Sequence, residues 1–242
     1  MGIGIIGFGR FGKLATRYLA QDCKVVVHSR HSHENEIEAL GARQANIDEV
    51  CAQEIVLLCV PISAMQKTLQ SIKKMLRKGA IVADVCSVKS YPAKLMKAIL
   101  PNHVQILATH PLFGPDSAGE TLKGRSIVLC DVRIGKKELA RIRDYLKKRG
   151  LEVIEASAQE HDRETAISLF LNHYLARAAL GAGHKDIRMK TKNYDRLNEI
   201  IETVKNDSLQ LFQDMHRYNP YAKKAIAAFK KSLQETDRRL KQ

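Results

Sequence analysis

The stretch Gly2-Ile3-Gly4-Ile5-Ile6-Gly7-Phe8-Gly9-Arg10-Phe11-Gly12 constrains the fold more than any other part of the chain. A short apolar run ends in Gly7-x-Gly9-x-x-Gly12 and passes directly into a helix-forming segment. Strand, glycine turn and helix in that order form a dinucleotide-binding fingerprint. Gly7 permits the tight turn out of the strand, Gly9 lets the backbone approach a pyrophosphate, and Gly12 allows close packing of helix on strand. The helix N-terminus offers N–H groups and a partial positive charge to phosphate. Gly7, Phe8, Gly9, Arg10, Phe11 and Gly12 are therefore candidate cofactor contacts.

The end of the next strand, Lys24-Val25-Val26-Val27-His28, bears on which dinucleotide fits. A site for NAD usually carries Asp or Glu there, accepting hydrogen bonds from the ribose hydroxyls. This chain reads Ser29-Arg30-His31-Ser32. No carboxylate repels a 2′-phosphate, Arg30 offers a forked donor and Ser29 a hydroxyl. NADP is expected in preference to NAD. The apolar run Glu54–Val60, stopped by Pro61, reads as a central parallel strand buried on both faces. Val60 and Pro61, at its end, are candidate cofactor-lining residues.

Strand and helix patterns alternate onward to about residue 156. Such alternation implies an α/β, Rossmann-like, doubly wound and mostly parallel sheet. Within it Asp84-Val85-Cys86-Ser87-Val88-Lys89 leaves one strand, and Val104–Ala108 runs into a loop Thr109–Ser117 with two prolines, a glycine and His110. Ligands of α/β sheets lie at such strand ends. After residue 156 no β-like run appears, and helices are expected over 158–181, 194–218 and from 220 to 240. The expected organisation is a dinucleotide-binding domain, 1–156, and a helical substrate and dimerisation domain, 157–242. A helical unit of about 85 residues buries little core alone; it is expected to pack on the first domain and on a second copy.

Composition narrows the function classes. Lys and Arg number 40 against 26 Asp and Glu, a formal charge of +14. The basic residues are spread along the chain and aromatics are only 5%, so there is no stacking platform for nucleic acid. A basic surface attracting an anionic cofactor and substrate accounts for the charge. No apolar run is long enough to span a bilayer. The first strand begins at once, leaving no room for a leader, and a cytoplasmic location is expected. Cys23, Cys51, Cys59, Cys86 and Cys130 form no C-x-x-C pair, so neither a disulfide framework nor a zinc site is expected.

Three groups of residues carry a resemblance: Asp84-Val85-Cys86-Ser87-Val88-Lys89; Thr109-His110-Pro111-Leu112-Phe113-Gly114-Pro115-Asp116-Ser117; and Glu160-His161-Asp162-Arg163 with Asn172-His173. Together they resemble the prephenate and arogenate dehydrogenases of tyrosine biosynthesis. His28-Ser29-Arg30, Asp207-Ser208-Leu209 and Tyr218-Asn219-Pro220-Tyr221-Ala222 are similar to the plant-type, NADP-using arogenate branch. The resemblance implies an oxidative decarboxylation in which a cyclohexadienol loses hydride to the nicotinamide, releases carbon dioxide and becomes aromatic. A neutral histidine can accept the hydroxyl proton. By the same resemblance His110 matches the catalytic histidine and Ser87 the serine that orients it. His173, Asp116 and Lys89 are candidate substrate contacts, Asp116 standing where a glutamate is usual. The family usually supplies an arginine from the helical domain to a substrate carboxylate, and Arg177, Arg188 and Arg196 stay open for that role.

Two other classes share parts of this pattern. Imine or hydroxyacid reductases of the same two-domain build place a lysine on the first helix of the second domain, where this chain has His173. A non-catalytic nucleotide module could dispense with Ser87 and His110, and both are present. If Arg30 meets a 2′-phosphate, Arg30→Ala weakens NADP binding by about 1.5–3 kcal/mol, the range for a hydrogen bond to a charged group. Fluorescence titration should then show NAD almost unaffected; equal losses for both would remove Arg30 from that role.

Overall fold

The computed structural model describes residues 1–241. The chain divides into two compact units, Met1–Gln159 and Glu160–Gln242. The first contains β1 (Gly2–Ile6), α1 (Arg10–Leu19), β2 (Lys24–His28), α2 (Glu34–Ala39), β3 (Arg43–Gln44), α3 (Ile47–Cys51) and β4 (Ile55–Leu58). A 3₁₀ turn (Ile62–Ala64) follows, then α4 (Met65–Ile72), β5 (Ile81–Asp84), α5 (Ser90–Ile99), β6 (Gln105–Pro111), β7 (Ser126–Arg133), α6 (Lys136–Lys148) and β8 (Glu152–Glu155).

Eight strands form one sheet in the order β3-β2-β1-β4-β5-β6-β7-β8. The Rossmann-like, mostly parallel sheet expected from the alternation is present. The exception is the antiparallel pairing of β7 with β6, so that β7 and its parallel neighbour β8 run against the other six strands. The residues between these strands form no helix, and a parallel return needs a crossover, usually a helix. The ladder they form extends β6 through His110, opposite Val128, and Pro111, opposite Ile127. The apolar run alone ends this strand at Ala108, with His110 in a loop; in the structure His110 lies on the sheet.

The central strands are apolar on both faces: Ile3, Ile5, Val56, Leu58, Ile81, Val82, Ile106 and Leu107 are all buried. This is the pattern of strands covered by helices on each side. Three glycines set how closely the layers meet. A Cβ on Gly4 would lie 2.3 Å from the Val50 carbonyl oxygen, on Gly7 2.2 Å from that of Cys59, and on Gly12 2.2 Å from that of Gly7. Gly7 also has φ +104°, a left-handed conformation that glycine adopts without strain.

The second unit is helical. Within α7 (Ala158–Thr165) the chain passes into it. A π-helical segment (Ala166–Leu171) leads to α8 (Asn172–Gly181), and α9 (Lys192–Asn206), α10 (Leu209–Tyr218) and α11 (Ala222–Arg239) follow. The long first helix foreseen from the sequence is thus interrupted by wider turns. The second is broken at Asp207, whose extended ψ of 138° ends α9, while the Ser208 side chain accepts from Leu211 N–H and starts α10. Ala176, Ile201 and Val204 form a small core between α8 and α9. Phe170 stacks on Phe212 at 5.5 Å, and Asn219 donates its side-chain amide to the Asp162 carbonyl at 2.8 Å.

The contacts at Gly12 predict that Gly12→Ala costs about 1–3 kcal/mol, the range for overpacking. Gly9 has nothing within 4 Å of an added Cβ, so Gly9→Ala should cost less than Gly12→Ala, no more than the ~1 kcal/mol of a poorer N-cap. Urea unfolding of the two variants makes the comparison.

Candidate active site

The glycine turn between β1 and α1 fits an anion. Gly9 is exposed, and space is open where its side chain would be. It is the N-cap of α1, no side chain caps that helix, and its first turn carries no acid. The N-terminal N–H groups of such a helix and its dipole favour phosphate. Phe8 is buried, its ring 5.3 Å from that of His33, so the side chain belongs to the core and only its backbone lies in the turn. Phe11 is half-buried, 6.4 Å ring to ring from Phe113.

At the end of β2, Arg30 is exposed and makes no hydrogen bond or ion pair among the described residues. Ser29 Oγ donates to the His31 carbonyl at 2.7 Å, which shapes the turn. The acids that follow are balanced in part: Glu36 pairs with Lys13 at 2.6 Å and lies 3.7 Å from His33. Val60 is half-buried and Pro61 exposed at the end of β4.

Ser87 and His110 lie at the carboxyl edge of the sheet, Ser87 in the turn after β5 and His110 on the neighbouring β6. β5 pairs with β6 as far as Asp84 opposite Ala108. Ser87 stands just after the end of β5, and its Oγ is buried without a hydrogen-bond partner. His110 is 6% exposed, on the part of β6 that runs past β5. β1, with the glycine turn at its end, lies two strands away across β4.

Lys89 is not where the sequence reading put it. It is fully buried, and its ammonium is paired with Asp84 and donates to the Thr109 carbonyl. Burial between β5 and β6 withdraws it from the surface, which corrects the expectation of a substrate contact. Asp116 is also engaged: Arg10 grips both its oxygens at 2.7 Å. Its loop is further held by Arg17 donating to the Gly119 carbonyl at 2.7 Å and Tyr18 to that of Ala118 at 2.9 Å.

A cavity of about 670 Å³ lies between α1, α6 and the sheet, walled by apolar side chains such as Leu14, Leu57, Leu107 and Ile142. Tyr145 and Arg149 at its rim are tied to Asp22, each at 3.1 Å. It offers little polar chemistry, and the candidate site is the strand edge.

In the helical unit His173 is 5% exposed. Burial, then the nearby Arg177 guanidinium, pushes its pKa down to about 4. Asp207 lies 3.6 Å from Nε2, too far for a hydrogen bond that would hold a proton on the ring. The imidazole is neutral at pH 7, with Nδ1 buried and unpartnered. Arg177 donates to the Asp207 carbonyl at 2.9 Å and lies 5.1 Å over the Phe212 ring, while its Nε is buried and unpartnered. Arg188 and Arg196 are exposed.

Residues 15–155 match the family model described as prephenate dehydrogenase, nucleotide-binding domain. The chain belongs to the prephenate/arogenate dehydrogenase family. Residues 180–242 match a second family model, TYRAAT1-like, C-terminal domain. Arogenate dehydrogenase 2, chloroplastic, of Arabidopsis thaliana is 32% identical over 91% of this chain and 64% of its own length. Arogenate dehydrogenase 1, chloroplastic, of the same plant is 31% identical over 94% of this chain and 37% of its own. The chain thus spans about two thirds and just over one third of these two relatives. Among solved structures, prephenate dehydrogenase from Aquifex aeolicus, in complex with hydroxyphenyl propionate and NAD+, superposes with TM-score 0.77 at 19% identity. That alignment covers 97% of this chain and 88% of the other. Synechocystis arogenate dehydrogenase gives 0.71 at 22%, over 97% and 90%. At those identities the two structures bear on the fold.

Sequence reasoning missed three features of this family member: the Asp84–Lys89 pair, the Arg10–Asp116 pair and the contact of Arg177 with the His173 neighbourhood. The spacing of His173 and Arg177, one helical turn apart, was a legible signal for the last. The Arg10–Asp116 pair joins residues 106 positions apart, and no local pattern announces it.

The depressed pKa of His173 makes the fold pH-dependent. Its stabilisation is complete above the unfolded pKa of about 6.5 and is lost as pH falls towards about 4. A shift of that size corresponds to about 3 kcal/mol. Urea unfolding of wild type and His173→Gln at pH 7 and pH 4.5 should show a smaller acid loss in the variant. An equal loss would mean that His173 is not the responsible group.

Proposed function

We propose that the chain oxidatively decarboxylates arogenate, or prephenate, with hydride transfer to NADP, forming tyrosine or 4-hydroxyphenylpyruvate. The observation that carries this reading is the position of Ser87 just past the end of β5 and of His110 on the adjacent β6, at the edge that also bears the open glycine turn. Membership of the family supports it. NADP, when bound, supplies the hydride acceptor.

The chain's own residues then have separate tasks. Gly9 and the N-terminus of α1 receive the pyrophosphate, and Arg30 the 2′-phosphate, with no carboxylate among Ser29–Ser32 to oppose it. His110 takes the proton of the substrate hydroxyl as hydride leaves the same carbon. The bond to the ring carboxylate breaks, its electron pair enters the ring, and carbon dioxide departs. Aromatisation drives the step, so the residues need chiefly to orient the substrate. Ser87 Oγ, buried and unpartnered, takes the task of orienting the hydroxyl or the imidazole. His173 and Arg177 supply a neutral donor–acceptor and a cation to the substrate's polar groups. Asp116, held by Arg10, ties the loop after β6 to the phosphate-binding turn.

The helical unit exposes Ile167, Leu209 and Leu233, which supports a homodimer formed through the C-terminal helices. The five cysteines are free thiols, in keeping with a reducing compartment such as the cytoplasm. No helix among the described residues is long and apolar enough to cross a membrane.

Turnover of arogenate and prephenate, each with NADP and with NAD, tests substrate and cofactor together. His110→Asn is expected to lower kcat by about 10²–10⁴-fold, the span of general-base catalysis, with NADP affinity intact. Wild-type turnover in this variant would exclude His110 as the base.

A further inference from the structure

The proposed function leaves Lys89 without a task, yet its side chain is wholly enclosed. Lys89 and Asp84 are both 0% exposed. β5 stops at Asp84, opposite Ala108, while β6 runs on through Thr109, His110 and Pro111. On the β7 side that extension has a full ladder, with His110 opposite Val128. On the β5 side the ladder has ended, and side chains replace it. Lys89 Nζ donates to the Thr109 carbonyl and to Asp84 Oδ2, and Thr109 Oγ1 donates to the Asp84 carbonyl. Asp84 Oδ2 also accepts from the Cys86 N–H at 3.0 Å.

These links stop one residue short of the reacting groups on both strands. Thr109 precedes His110, and Cys86 precedes Ser87. We infer that Asp84, Lys89 and Thr109 form a positioning brace that sets the separation of Ser87 from His110. The three are positioning residues and act through their neighbours. The pair is poorly completed as a source of stability: Asp84 Oδ1 is buried with no partner. A buried ion pair often stabilises no more than an apolar pair of the same volume. What an apolar pair could not supply is a directed link from the β5–α5 turn to the unladdered carbonyl on β6. A displacement of about 1 Å in a reacting group is enough to slow a reaction markedly.

The inference rests on the proposed function for its activity arm only. Lys89→Met alone leaves a buried, unpaired carboxylate, so the deciding variant is the double substitution Asp84→Asn with Lys89→Met, which buries no charge. Hydrogen–deuterium exchange should rise at least about tenfold in segments 84–90 and 108–111, with β1 and β4 unchanged. NADP affinity, measured by fluorescence titration, should stay within about threefold of wild type. With the substrate that wild type turns over, kcat should fall about 10–100-fold while KM for the dinucleotide is unchanged. Thr109→Val is nearly isosteric and keeps the ion pair, so it decides the matter should the double variant not fold; there exchange should rise in the same two segments and kcat fall several-fold. Wild-type exchange in both segments, or wild-type kcat in the double variant, overturns the brace; for a double variant that does not fold, the same results in Thr109→Val do so. Wild-type protein that turns over neither substrate removes the proposed function, and the exchange measurement still decides the brace.

Discussion

The first unit depends on how closely the turn after β1 approaches its neighbours. At Gly7 and Gly12 an added Cβ would stand 2.2 Å from a carbonyl oxygen, of Cys59 in one case and of Gly7 in the other. No side chain fits there, and the positive φ of Gly7 independently demands glycine. The contact locks β1, the end of β4 and the start of α1 together. Gly9 is under no such constraint, and that difference separates packing from binding within one motif. Two glycines are required by the protein's own backbone, while the third leaves room for something the protein does not contain.

The second constraint is electrostatic. A lysine removed wholly from water must be met by a carboxylate and hydrogen-bond acceptors, because losing one partner of a buried pair typically costs about 3–5 kcal/mol. Asp84 and the Thr109 carbonyl meet that need. The pair thereby joins two strands at the level where their ladder ends. His110 is thus part of the packed sheet, and the turn that bears Ser87 is tied to it. The loop after it is held from outside by exposed pairs, Arg10 with Asp116 chief among them, which are screened by water and individually weak.

The helical unit solves a similar problem differently. Its cation, Arg177, is met in part by backbone carbonyls at the α9–α10 break and by the face of Phe212, with Nε left unpartnered. His173, one turn earlier, is kept neutral by burial and by that cation. The π-helical segment Ala166–Leu171 lies immediately before it. Wider turns shift the register of everything that follows, and such segments recur at functional sites.

Much of this was legible in the chain. Glycine spacing, apolar runs and the absence of a carboxylate after β2 are local properties, and short-range sterics and periodicity determine them. So the α/β order, the phosphate turn and most element positions could be read directly, and the resemblance named His110 and Ser87. The antiparallel β7, the placement of His110 on the sheet, and the breaks near Ala166 and Asp207 could not, because strand direction and helix continuity depend on what each segment packs against. The partners of Lys89 and Arg10 were decided by tertiary structure alone. Burial of an ammonium and the meeting of residues 106 positions apart are consequences of three-dimensional packing, which no window along the chain contains.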